Sequence, residues 1–203
     1  MLNQKELNIL LKEPKTTKSL DTLRTEFAKK SPKSKEISDE DFISLVLLAP
    51  SLGIALAHGS ISLFEELSLN KKVRSLSNKS KLLKNDALFY ALRFLKNNFP
   101  DWEDNFYQII KLILYSSLKK NTLIWDTFQQ KGASTNNLQI DVLNAPYIFV
   151  KLMTFLFLED SETFISKRSI AQTEYEKILE IGDKLELSNV PLFQQFCEGF
   201  DIR

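Results

Sequence analysis

His58 is the only histidine among 203 residues and Cys197 the only cysteine. Hydrolysis through serine or cysteine needs a nucleophile beside a base that takes its proton, usually an imidazole steadied by a third group. Any such chemistry in this chain therefore has to run through His58. Its neighbours one helical turn away are Ile54, Ala55, Ile61 and Ser62, and no Gly-x-Ser-x-Gly nucleophile elbow occurs, so the expected role is structural. Cys197 stands among Phe193, Phe196 and Phe200, a setting in which a thiol behaves as a small apolar group. One cysteine and one histidine cannot assemble the usual zinc sites. Nor can a single histidine supply the Glu-x-x-His pairs that two helices of a carboxylate metal bundle require. The acidic groups Asp101, Glu103 and Asp104, and Glu159, Asp160 and Glu162, fall at predicted helix ends, where capping and the helix dipole account for them. No Gly-rich phosphate cradle is present. The expectation is a protein that is not an enzyme, with no catalytic residue, no metal and no cofactor.

One run points to a different chemistry. Residues 71–84 carry Lys71, Lys72, Arg74, Lys79, Lys81 and Lys84 with no acidic residue, interspersed with Ser75, Ser77, Asn78 and Ser80. These residue types contact phosphates. Arg93 follows, within an aromatic group of Phe89, Tyr90, Phe94 and Trp102 that would stack bases if exposed. The same pattern also describes a solvated basic loop between two helices, and both readings stay open.

The elements that position these residues are helical. Residues 1–36 hold nine basic and five acidic residues and are broken by Pro14 and Pro32, which reads as a basic amino-terminal arm. Leu20, Leu23 and Phe27 give it a short amphipathic helix from about residue 19 to 30 that docks on a neighbour or on its own domain. The remainder, 37–203, reads as one helical domain. Ser38 caps the first strong helix, with Ile37 and Phe42 as a staple. Pro50 is expected to end that helix, and Ser51 to cap a second one running to about Leu69, whose small residues suit a close helix crossing. Leu88, Leu92, Leu95 and Phe99 mark a helix ended by Pro100. Asp101 caps the longest one, with Trp102, Phe106, Ile109, Ile110, Ile113, Leu114 and Leu118 inward. A short helix near 123–130, a loop at 132–137 and a brief strand at 138–142 follow. Ala145 to Leu158 is apolar nearly all round, which suits the centre of a bundle or an interface. A helix from about Ser169 to Leu185 buries Tyr175, Ile178, Leu179 and Leu185, and a last one begins at Ser188 and Pro191.

Composition agrees with this pattern. Only 5 glycines and 6 prolines leave too few turns for a sandwich or barrel, while 15 phenylalanines suit packed helices. The fold expected is all-α, a bundle of about seven to eight helices with an amino-terminal arm. The stretch 42–64 has no formal charge, but Pro50, His58, two glycines and acidic flanks argue against a membrane span. Met1 to Lys12 carries Lys5 and Glu6 where a secretion signal would be apolar, so a cytoplasmic protein is expected. With a net charge of +1 there is no global pull toward polyanions. Three functions remain, the third being a carrier of an apolar ligand held between helices. The first is a non-enzymatic module that binds another protein or, favoured, copies of itself through Leu20, Leu23 and Phe27. The alternative is binding of nucleic acid, RNA included, through Lys71, Lys72, Arg74, Lys79, Lys81, Lys84 and Arg93.

Overall fold

Leu20, Leu23 and Phe27 fall on one face of a helix, and burying that face decides where the amino-terminal segment goes. The computed structural model describes residues 14–76, 86–119, 147–158 and 168–203. There the segment forms α1 (Pro14–Lys30), which lies against the same chain with all three apolar residues buried. The Phe27 ring meets Phe42, Phe94, Trp102 and Phe106 at centroid distances of 5.0–5.9 Å. Of the two docking places open to this segment, its own domain is the one taken: Leu20, Leu23 and Phe27 are core residues. The reason is that an isolated helix of this length is marginal in water, and its apolar stripe finds the nearest aromatic cluster within its own chain.

After a 3₁₀ turn at Pro32–Ser34, Ser38 takes extended backbone angles and its Oγ accepts the Asp41 N–H at 3.1 Å. It thereby caps α2 (Asp39–Ala55), with Asp39, Glu40 and Asp41 at the positive end of the dipole. Contrary to expectation, Pro50 lies inside this helix instead of ending it. An interior proline costs about 3 kcal/mol through its missing N–H and its ring. Yet every residue from Asp41 to Pro50 is buried, and α2 is packed by neighbours on all sides, which outweighs the local cost. Those neighbours are α1, α3 (Leu63–Leu76), α4 (Ala87–Asn97), α5 (Phe99–Lys119), α6 (Tyr147–Phe157) and α7 (Gln172–Lys184). At Gly53 a Cβ would come within 2.8 Å of the Tyr107 hydroxyl and 3.2 Å of the Phe99 ring, so the missing side chain lets α5 cross α2 closely.

Asp86 caps α4 by accepting the Leu88 N–H at 3.1 Å, and Leu88, Leu92, Leu95 and Phe99 are buried as their spacing requires. The helix α5 begins two residues before the expected cap, so Pro100 and Asp101 sit in its first turn, where an absent N–H loses no bond. Trp102, Phe106, Ile109, Ile110, Ile113 and Leu114 face the core. Glu103 of α5 accepts from Lys177 and Lys184 of α7, each at 3.2 Å, joining the two helices. Burial works against the Lys184 charge, but hydrogen bonds to Asp104, Glu180 and Glu103 outweigh it and raise its pKa.

The carboxyl-terminal part departs from the sequence reading. Arg168–Ile170 forms β1 and pairs in parallel with β2 (Phe200–Ile202), Arg168 opposite Phe200, so α7 starts at Gln172 and not at Ser169. Ile178, Ile181 and Leu185 form its buried face, and Leu179, expected inside, turns away and is 40% exposed. In α8 (Pro191–Glu198), Leu192, Phe193, Phe196 and Cys197 are buried. The Phe193 ring sits where a Cβ on Gly182 would be, 2.2 Å away. The fold is an all-α bundle with this one small sheet among the described residues. No helix among the described residues is long and apolar enough to cross a membrane. The expected helix at 123–130, the loop at 132–137, the strand at 138–142 and the acidic group 159–162 lie outside them.

Candidate interaction surface on α3

Within the described part of the basic run, residues 71–76, the cations do not share one surface. Lys71 is exposed, whereas Lys72, its neighbour, is only 5% exposed. The Lys72 Nζ donates to the Leu158 carbonyl at 2.9 Å and to Ser51 Oγ at 2.5 Å, and lies 4.9 Å from the centre of the Phe155 ring. Ser51 Oγ in turn donates to the Leu156 carbonyl at 2.9 Å. Ser51, expected to cap the start of a helix, and Lys72, expected to contact phosphate, together close the carboxyl end of α6. Its free carbonyls and negative dipole end attract a cation there. Arg74 is half-buried and its Nε donates to the Asn70 carbonyl at 3.0 Å. Lys79, Lys81 and Lys84 lie outside the described residues. Of the aromatic group, Phe94 and Trp102 pack on Phe27, and Lys33 Nζ lies 5.1 Å from the Tyr90 ring centre.

His58 is in the turn after α2, not within a helix, and is half exposed. Its Nδ1 is 2.9 Å from Thr173 Oγ1 and its Nε2 3.4 Å from Glu174 Oε1, while the other Glu174 oxygen accepts the Ala171 N–H at 3.0 Å. The imidazole thus ties the α2–α3 turn to the capped start of α7.

What the sequence reading missed lies on the outer face of α3. Leu63, Phe64 and Leu67 are 75%, 72% and 59% exposed, although apolar side chains of this size are ordinarily drawn inward. The inner face of the same helix carries the buried Leu69 and Val73. At 100° per residue Leu63, Phe64, Leu67, Lys71 and Arg74 share one side, so the stripe is apolar over its first two turns and cationic over its last. A signal was present: Leu63, Phe64, Leu67, Leu69 and Val73 cannot all fit the stripe of about 100° that a surface helix buries. Between α3 and α4 lies a cleft of about 340 Å³ with Leu52, Leu69 and Leu92 at its floor and Phe89 on its wall. Glu66 and Lys96 pair across its rim at 3.1 Å, and Arg93 stands beside them.

These features define a class: a helical bundle with an exposed apolar stripe on one surface helix. Compared with known proteins, the chain matches no family model, no curated protein and no solved structure.

Proposed function

We propose that this protein is a non-enzymatic interaction module that pairs with a second copy of itself through the outer face of α3. The observation that carries the reading is the exposure of Leu63, Phe64 and Leu67 side by side. Together they offer a few hundred Å², on the order of the largest apolar patch of an ordinary monomer, and such patches mark contact sites. The self-partner is favoured by the order of residues along the stripe. A two-fold axis midway between Leu67 and Ser68 sets two α3 helices antiparallel, and Phe64 of each copy then meets the exposed Lys71 of the other. A lysine stem covers an aromatic ring well, and its ammonium is attracted to the ring face. The area is small against the roughly 800 Å² per partner of a stable complex, so the pairing is weak and concentration-dependent. Binding of nucleic acid is the less favoured reading, because one cation of its proposed set, Lys72, is buried in another role.

Sedimentation over a wide concentration range tests this. The expected mass climbs from one chain toward two. The variant Leu63→Ser/Phe64→Ser/Leu67→Ser stays at one chain with an unchanged dichroism spectrum, and Lys71→Glu weakens the association. A wild-type mass of one chain at every concentration overturns the proposal, as does equal association of the triple variant.

A further inference from the structure

The cleft between α3 and α4 supports a site independent of the outer face of α3. Its volume of about 340 Å³ lies at the small end of ligand pockets, which run from about 300 to 1,000 Å³. Its floor is apolar: Leu52 and Leu92 come from the buried faces of α2 and α4, and Leu69 from that of α3. The half-buried Phe89 ring adds an apolar wall. Such pockets combine an apolar lining with a few polar groups that fix the ligand's orientation. The formal charges on this lining are Glu66, Lys96 and Arg93. Glu66 and Lys96 pair with each other at 3.1 Å and cancel. Arg93 is exposed at the rim and forms no hydrogen bond or ion pair with the described residues. The cleft therefore presents one uncompensated guanidinium above an apolar floor. A guanidinium holds a carboxylate by two parallel hydrogen bonds.

We infer that this cleft binds a small organic monoanion, an apolar body of short-chain length ending in one carboxylate, with Arg93 on the carboxylate and Leu52, Leu69, Leu92 and Phe89 around the body. The charge count sets the preference. An anion completes the only unpaired charge among the described residues of the lining, a neutral head leaves the guanidinium to water, and a cation is repelled by it.

Calorimetric titration of the full chain with octanoate, octanamide and octylamine tests the assignment. Octanoate is expected to bind at one site per chain, octanamide about tenfold more weakly for loss of the charge-assisted bonds, and octylamine not at all. Arg93→Ala, an exposed position that leaves the floor intact, should bring octanoate down to the level of octanamide. The Leu63→Ser/Phe64→Ser/Leu67→Ser variant should bind octanoate as the wild type does. The inference is overturned by absence of octanoate binding, by equal binding of the acid and the amide, or by undiminished binding to Arg93→Ala. Loss of binding in the triple variant also overturns it, because the acid would then have been held on the outer face of α3. Sedimentation reads the pairing of copies separately, so either proposal can fail without the other.

Discussion

Lys71 and Lys72 are adjacent and chemically identical, yet one is exposed and the other is almost wholly enclosed. The difference is direction: the step of about 100° between neighbours on a helix points Lys72 at the last carbonyls of α6 and at Ser51, and these together with the Phe155 ring replace the water it gives up. A buried ammonium is tolerated only with such partners. Removing it leaves acceptors without a donor, so Lys72→Met should destabilise the fold by about 1–3 kcal/mol, while Lys71→Met changes it by less than about 0.5 kcal/mol. Denaturant unfolding of the two variants side by side measures this. Equal, small effects would mean that Lys72 is not holding α6. His58→Ala should cost little, since its imidazole is half exposed and its partner Glu174 keeps the Ala171 N–H.

At the scale of elements, α1 is the informative one. Its Phe27 ring lies among four aromatic rings contributed by α2, α4 and α5, so the helix is part of the core it touches. Phe27→Ala should cost about 3–5 kcal/mol, as full deletion of a buried aromatic ring does. Removing residues 1–36 strips Leu20, Leu23 and Phe27 at once and uncovers Phe42, Trp102 and Phe106, so the shortened chain is expected to lose cooperative unfolding. Thermal melts followed by near-ultraviolet dichroism would report both. A truncated chain that melts as sharply as the whole one would show that α1 is an appendage after all.

For the molecule as a whole, alkaline pH probes the closed core. Burial, with Glu198 adding to it, pushes the Cys197 thiol up from 9.0 to about 12, and burial with the Glu103 charge raises the Tyr107 phenol as well. Both groups are neutral when protonated, so the folded state holds these protons more tightly than the unfolded chain does. Their contribution is complete below pH 9.0 and falls as pH rises from there toward about 12. Stability should therefore decline across that window, and Cys197→Ala should lessen the decline. Thiol labelling at pH 8 should be slow in the native state and track global unfolding; fast native labelling would place Cys197 outside the core. The helices rich in local signals were legible from sequence: Ser38 as a cap, the buried period of α4 and α5, and the apolar α6 are all consequences of residues within a turn or two of one another. What sequence could not give were outcomes set by distant partners. The passage of α2 through Pro50 depends on helices packed around it, and the parallel pairing of β1 with β2 joins segments separated by α7 and α8. The fates of Lys72 and Phe27, and the exposure of Leu63, Phe64 and Leu67, were likewise decided in three dimensions. Local chemistry states which residues must be buried or paired, but only the tertiary arrangement supplies the surface that buries them, or leaves them in water.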